Sequence, residues 1–386
     1  MIKMLTAFTR NVHDADAAVA DVLKQLDLDN RRLANSVGIL IFHPDFLASG
    51  VVEAVSKALP FNTIGGTTAA STSPDVAGNL VFTLSVLTSD TVVFRSGMSR
   101  AINEDATGPV AELYSRVAPP EMGRPSLLFT IAPIVDTATG DDLVTAIDAA
   151  SGGVPLFGTL AFTHEFPELS SVATCANGVS GARSLTLIAL FGEVNPRFYV
   201  TTIPQDRAIH GVALITQSEK NQIRRINGFV PINYLEKVGL VERNQFTAGV
   251  ANYPFTLTLK DGSKVVRAVY KVTDEGYILS FSNVPQGVRV SFSQIDADFV
   301  VESTKNTIAQ VVAESSAENV LIFSCTGRRW ALAEDEDAEM MEIGRDIGYL
   351  LSYHFAYAGG EICPVKNSKG EMVNNFHSFT LIACAF

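Results

Sequence analysis

The hydrophobic pattern of this chain repeats itself. Residues 36–42 (SVGILIF) form a short, β-branched apolar run, the signature of a buried strand. Pro44 and Asp45 then supply a turn and an N-cap. Leu47, Val51, Val55, Ala58 and Leu59 follow at the spacing of one helix face, stopped by Pro60. A second strand begins at 61–64 and runs into Gly65-Gly66-Thr67-Thr68. Beyond a Ser/Pro/Asp/Gly loop, 80–87 and 91–96 read as an antiparallel pair joined at Thr88-Ser89-Asp90. The same order returns later: strand 126–132, helix 141–150 ended by Gly152-Gly153, strand 154–162, and a closing hairpin of 184–191 with 197–203. The two copies start at Ser36 and Ser126, a period too long for a solenoid and right for a duplicated half-domain. Residues 36–97 and 126–203 are therefore expected to superpose as β-α-β-β-β halves, about an approximate twofold axis, of one domain spanning 1–205.

A third, altered copy closes the chain. Strand 320–324 is followed by a helix face of Met340, Ile343, Ile347, Leu350 and Leu351, by Gly359-Gly360, and by strands 361–365 and 376–385. Ahead of it lies a β-rich stretch. Strands 255–260 and 265–272 flank Asp261-Gly262, 278–283 and 288–294 meet at Pro285-Gln286-Gly287, and 298–317 is helical in pattern. The punctuation Pro204-Gln205-Asp206-Arg207 marks a boundary, so 206–386 is expected to be a second, β-rich α/β domain. No linker-like segment separates the two, which predicts close packing. The expected fold class is α/β in the broad sense, a mixed α+β chain with mixed sheets.

Composition narrows the function. The chain has 386 residues, 47% apolar and 18% charged, which excludes disorder and a collagen-like repeat. With 29 Lys plus Arg against 41 Asp plus Glu, the net charge is −12, which argues against nucleic acid and against an anionic membrane face. Cys175, Cys325, Cys363 and Cys384 are too few and too scattered for a disulfide framework, and no CxxC occurs. The N-terminus lacks a signal-peptide pattern and no apolar run is long enough to span a bilayer, so a soluble cytoplasmic protein is expected.

Recognisable catalytic motifs are missing. His13, His43, His164, His210, His354 and His377 make no HExxH or HxH spacing, and there is no GxSxG, Walker or GxGxxG motif. No metal site and no catalytic residue is therefore assigned. Gly65-Gly66-Thr67-Thr68 follows a strand and offers backbone N–H groups to an anion, though a tight turn explains it equally well. The richest segment is Phe323-Ser324-Cys325-Thr326-Gly327-Arg328-Arg329-Trp330, where a strand ends in a thiol, a glycine and two guanidiniums. Open α/β sheets leave a ligand crevice at such strand ends. Arg328 and Arg329 suit a bidentate carboxylate clamp, and suit equally an ion pair with the acidic run 334–337. Two cations beside an accessible Cys325 would lower its thiol pKa, whereas burial would leave it inert. A Cys-dependent enzyme would use Cys325 as nucleophile with His377 or Glu361 as base.

Residues 318–386 resemble the C-terminal half of the FIST domain, named for F-box and intracellular signal transduction. The resemblance rests on Leu321-Ile322-Phe323-Ser324-Cys325-Thr326-Gly327-Arg328, Ala358-Gly359-Gly360-Glu361-Ile362 and Phe376-His377-Ser378-Phe379-Thr380. Ile64-Gly65-Gly66-Thr67-Thr68 and Leu156-Phe157-Gly158-Thr159-Leu160 are similar to the paired strand-turns of its N-terminal half, and His210-Gly211 to the segment between the halves. Two positions depart from the family pattern: Ser378 stands where an Asn is common, and Ala358 where an aromatic residue is common. The resemblance implies a sensory module for a small molecule, with amino acids or related carboxylates proposed. It implies coupling to a separate signalling partner such as a histidine kinase or cyclase, since no output domain follows Phe386. One branch of the family implies haem and nitric-oxide sensing as an alternative. The expected site gathers Cys325, Arg328, Arg329, Glu361, His377 and Thr380 with Gly65, Gly66, Thr67, Gly158, Thr159 and His210 around one concave pocket.

Overall fold

A computed structural model describes the chain except for residues 166–168, 202, 205–206, 243–252, 260–261, 263, 315–316, 348–350 and 368, and except for the side chains of 209 and 210. Gln205 and Asp206 of the expected boundary, Asp261 of the expected hairpin and Leu350 of the expected helix face thus lie outside the described residues.

Three repeats, not two, build the barrel. The first runs β1 (Lys3–Thr9), α1 (Ala15–Leu26), α2 (Leu28–Arg31), β2 (Asn35–Phe42), α3 (Pro44–Ala48), α4 (Val51–Ala58), β3 (Thr63–Thr67), β4 (Ser71–Ser73), β5 (Val76–Gly78) and β6 (Phe82–Ser89). The second repeats the order. It comprises β7 (Val93–Met98), α5 (Thr107–Val117), β8 (Leu127–Ala132), α6 (Gly140–Ser151), β9 (Leu156–Leu160), β10 (Thr174–Ala176), β11 (Val179–Gly181) and β12 (Thr186–Phe191). The third opens with β13 (Arg197–Val200) and is then interrupted. The insertion holds β14 (Ala208–Glu219), β15 (Gln222–Ile226), α7 (Pro231–Lys237), β16 (Phe255–Thr258), β17 (Lys264–Arg267), β18 (Val269–Val272), β19 (Ile278–Ser280) and β20 (Arg289–Ser293). The repeat resumes with α8 (Ala297–Glu314), β21 (Asn319–Cys325), α9 (Thr326–Ala331), α10 (Ala338–Ile347), β22 (Ser352–Ala358), β23 (Glu361–Lys366), β24 (Met372–His377) and β25 (Leu381–Ala385).

Strand pairing exchanges hairpins in a cycle. The three six-stranded sheets run β1-β6-β2-β3-β10-β11, β7-β12-β8-β9-β23-β24 and β13-β25-β21-β22-β4-β5. Each repeat contributes four strands to its own sheet, while its short hairpin completes the sheet of the repeat before it. In every sheet one pair is parallel (β2 with β3, β8 with β9, β21 with β22), which makes the sheets mixed, as expected. The ends of β3, β9 and β22 then bond to one another. Phe162 donates to the Thr67 carbonyl at 2.9 Å, Leu160 to Gly360 at 3.0 Å, and Tyr357 to Ala70 at 2.9 Å. Gly66 is required at this closure, because a Cβ there would lie 2.6 Å from Ile131.

Several expectations change. The pairs 80–87 with 91–96 and 184–191 with 197–203 are not hairpins: β6 pairs with β1 and β2, whereas β7 crosses to pair with β12, and β13 crosses to pair with β25. Each second strand belongs to the next repeat, so the twofold relation becomes one step of a threefold. β13, ahead of the expected boundary, pairs with β25 of the third repeat. The expected helix over 47–59 breaks at Gly50, whose φ of 84° is left-handed. The expected strand 376–385 breaks at 378–380, where Phe379 has a φ of 56°.

The barrel interior is apolar on all three inner faces, with Phe129, Phe157 and Phe323 packed mutually at 5.7–6.4 Å between ring centroids. Helices cover the outer faces through Ala18, Val22 and Leu26 of α1, Leu143 and Ile147 of α6, and Ile308 and Ile343 of α8 and α10. The insertion is a seven-stranded antiparallel sheet with its own core around Phe255 and Phe292. It docks on the start of α6, where the nearly buried Arg267 meets Asp141 at 3.2 Å and the Asn283 N–H donates to Asp141 at 2.7 Å. Among the described residues no helix is long and apolar enough to cross a membrane.

Two buried imidazoles set a pH limit on this fold. His354 bonds Thr83 at 2.9 Å and Ser85 at 2.7 Å across the barrel, and burial lowers its pKa to about 4. His377 donates from Nε2 to the Cys363 carbonyl at 3.0 Å, and burial likewise lowers its pKa to about 4. Both rings take a proton in the unfolded chain near pH 6.5 but resist it when folded. Their contribution, about 3 kcal/mol each by linkage, is therefore complete above pH 6.5 and is lost as pH falls toward 4. Urea denaturation at pH 7.5 and pH 4.5 should show this loss, and His354→Gln should shrink the difference between the two pH values by about 2 kcal/mol or more.

Candidate functional site

The third repeat places chemistry where the other two place small residues. By register Glu361 sits opposite Thr159, the position held by Thr174 in the first sheet and by Ser71 in the third. β21 delivers Cys325 as the N-cap of α9. Gly327 is obligatory on that helix, since a Cβ would lie 2.6 Å from the Phe379 ring. The turn carrying Phe379 is strained: a bulky side chain at a φ of 56° costs about 1–2 kcal/mol.

Around these elements a polar cluster is sealed inside the protein. Cys325, Arg328, Glu361, Ser378 and Thr380 are each at most 5% exposed. The Cys325 N–H donates to the Thr380 carbonyl at 3.0 Å, the Thr380 hydroxyl to Glu361 Oε2 at 2.7 Å, and Glu361 lies in register with His377. Cys325, Glu361, His377, Thr380, Thr159 and the neighbouring Gly158 are thus brought together. Arg328 is held by Glu339, with Nη2 at 2.7 Å and Nε at 3.0 Å, and by the Val300 carbonyl, Ser303 and Thr304. Glu339 also accepts from Ser324 at 2.8 Å. Arg329 meets Glu336 at 2.6 Å and Asn79 at 2.8 Å, and its guanidinium lies over the Tyr357 ring.

The cluster holds polar atoms with nothing to bond. Arg328 Nη1, Arg329 Nε, Glu361 Oε1 and Ser378 Oγ are buried without a hydrogen-bond partner among the described residues. The Tyr357 hydroxyl is close enough to Glu339 for that charge, after burial, to hold its pKa well above the usual tyrosine range, yet it makes no well-formed hydrogen bond. Burial pushes the Glu361 carboxyl well above its ordinary value, against the opposing pull of Thr380 and Arg328, which favours the neutral acid.

Sequence expectations meet this geometry unevenly. The pocket is a sealed cluster, not an open concavity. Arg329 takes the acidic run, through Glu336, and Arg328 takes Glu339 further along, so neither guanidinium is free as a whole. Cys325 is not activated: burial first, and the neighbouring Glu361 second, push its thiol pKa up. Gly65, Gly66 and Thr67 lie on β3, flanked by β2 and β10, so no array of N–H groups remains for an anion. They belong to the barrel closure, and the neighbouring Thr68 reaches the cluster, its hydroxyl donating to the Tyr357 carbonyl at 2.6 Å. His210 lies on β14 of the insertion, in backbone register with Phe292, and its side chain is outside the description. Glu339 and Tyr357 escaped sequence reasoning, since nothing in the acidic helix 338–347 marks one carboxylate as buried. His354 is bonded through both ring nitrogens and His377 through Nε2, and burial keeps Cys325 a thiol.

Removing Arg328 would leave Glu339 charged in a dry interior. Arg328→Ala is therefore expected to cost about 3–5 kcal/mol in urea denaturation, whereas Lys57→Ala, which breaks an exposed pair with Glu53, should leave the unfolding midpoint nearly unchanged. Native Cys325 should resist a thiol reagent that labels it fully in urea.

No curated protein matches the sequence. Among solved structures the chain is similar to the cyanuric acid hydrolase from A. caulinodans, at 8% identity and a TM-score of 0.39, covering 100% of this chain and 99% of that one. The FIST N domain model matches residues 36–228 and the FIST C domain model residues 233–364. Together these span most of the chain, including Cys325, Arg328 and Glu361, and the protein belongs to the FIST family of sensory domains in signal transduction.

Proposed function

We propose that this protein is a cytoplasmic sensor that binds a small molecule at the Cys325–Arg328–Glu361 cluster and signals to a separate protein partner, such as a histidine kinase or cyclase. One observation carries the reading: Arg328 Nη1, Arg329 Nε, Glu361 Oε1 and Ser378 Oγ are buried without partners among the described residues. Folded proteins rarely leave such atoms unmet, because each costs about 1–3 kcal/mol. A ligand that supplies the missing bonds recovers that cost as affinity. Two of the four are guanidinium donors and Ser378 is a third, so the complementary group is an acceptor, as in the carboxylate of an amino acid or a related acid. Glu361, neutral, offers the second contact that fixes the orientation of the molecule.

Because the cluster is sealed, entry requires part of its wall to move. The turn at 378–380 is the segment suited to this, since releasing Phe379 from its left-handed backbone relieves strain. The ligand would then replace backbone strain with bonds to Ser378, and the altered turn, between β24 and β25, would be what a partner detects.

Native mass spectrometry of the purified protein should show a small molecule lost on denaturation. Calorimetry with amino acids and 2-oxo acids then tests the site. Ser378→Ala and Glu361→Gln should each weaken binding at least about tenfold, with the unfolding midpoint of Ser378→Ala unchanged. Equal affinity in wild type and both variants would remove the cluster from ligand recognition.

A further inference from the structure

A second cavity lies between the barrel and the insertion, and its reading does not depend on the cluster at Arg328. It encloses about 360 Å³, enough for a molecule of one or two rings, beyond the carboxyl end of β8, where β8 and β9 run parallel. Its floor is apolar, made by Ile134, Leu160 and Leu169. One wall is aromatic: Tyr270 and Phe281 stack at 4.6 Å with their planes 28° apart.

This wall is held in place. Besides the Arg267–Asp141 pair, Asn283 donates to Asp142 at 2.8 Å and the Gly140 N–H to the Phe281 carbonyl at 3.2 Å. The cavity is thus preformed, and binding there carries little ordering cost.

The charges around the cavity are mostly spent. Arg183 pairs with Asp136 at 2.8 Å and bonds the Ile102 carbonyl and Thr137, while Asp142 accepts from Asn283 and from the Thr139 N–H. Lys220 is the exception. It lines this cavity and an adjoining hollow of about 270 Å³, and its side chain has no ion pair or hydrogen bond among the described residues. Its backbone, at a φ of 50° in the turn between β14 and β15, takes the left-handed form that Gly or Asn adopts more cheaply. A strained lysine is thereby placed at a cavity whose other charged groups are the Arg183–Asp136 pair and Asp142, in a chain whose net charge of −12 supplies no general attraction for an anion.

We infer that this cavity binds a small aromatic carboxylic acid, its ring against the Tyr270–Phe281 wall and its carboxylate at Lys220. The aromatic wall continues inward. Phe281 meets Phe162 edge-on at 6.5 Å, and Phe162 meets Trp330 at 6.2 Å, on the same short helix as Arg328. Trp330 is the one tryptophan in the sequence, so its fluorescence reports on occupancy.

The test is calorimetry on the full chain with phenylacetate and 4-hydroxyphenylacetate, against 2-phenylethanol as a neutral ring and hexanoate as a ringless acid. Expected are saturable binding of the aromatic acids, binding of both controls at least about tenfold weaker, and a shift in Trp330 emission on saturation. Lys220→Asn, which keeps the left-handed turn and lies on the surface, should weaken the aromatic acids at least about tenfold. Phe281→Leu should do the same where it folds, and Ser378→Ala should leave the affinity unchanged, which separates this cavity from the cluster. No saturable heat from either aromatic acid overturns the inference, and so does an affinity that Lys220→Asn does not move.

Discussion

Exchange of hairpins is the constraint on which the rest of the structure rests. Each repeat has four strands in its own sheet, and without the hairpin of the next repeat the third of these, β3, β9 or β22, would become an open edge. An exposed strand edge and an uncovered apolar inner face are both costly in water, so no repeat is stable in the absence of the other two. The chain therefore closes only when β4–β5 of the first repeat reaches the sheet of the third. Such pairings join residues remote in sequence, so the loop entropy is spent before they form, and closure is expected late in folding.

Threefold geometry also explains why the chemistry is local. Equivalent positions of the three sheets meet at the ring of bonds joining Thr67, Leu160 and Tyr357 to their neighbours, and two of the three corners are filled by hydroxyls and small groups. Only the corner at Glu361 carries a carboxyl, a thiol and two guanidiniums. A symmetric frame tolerates this because the Arg328–Glu339 pair is dry and multiply bonded, which offsets the cost of burying both charges. The atoms left over, on Arg328, Arg329, Glu361 and Ser378, are the residue of that arrangement and the basis for reading it as a receptor site.

The insertion turns this frame into a two-part molecule. It enters between β13 and α8, packs its own core, and grips the second repeat through Arg267 and Asn283. The cavity at Tyr270 and Phe281 is a consequence: a sheet anchored at the start of α6 leaves an apolar gap over the end of β8. Aromatic contacts run from that gap to α9, so the two candidate sites share a packed path and not merely a surface.

Period and composition were enough to reveal the repeated strand–helix–strand order, the α+β class and the family, because buried strands such as 36–42 and 320–324 announce themselves as apolar runs and the family motifs are contiguous. Local pattern also found most of the cluster, since Cys325, Arg328, Glu361, His377 and Thr380 all sit in short motifs near strand ends. What it misread were partnerships. Strands 80–87 and 91–96 looked like a hairpin because adjacency in sequence is the usual guide to pairing, and only the assembled barrel sends the second to another sheet. Arg328 suited a ligand or the acidic run 334–337 equally, and its actual partner, Glu339, is one acidic residue among several, whose burial follows from how α10 packs on α8, a contact with no local signature. Cys325 was open in the chain for the same reason: charge near a thiol is legible there, whereas burial, which reverses the sign of the shift, is a property of three dimensions.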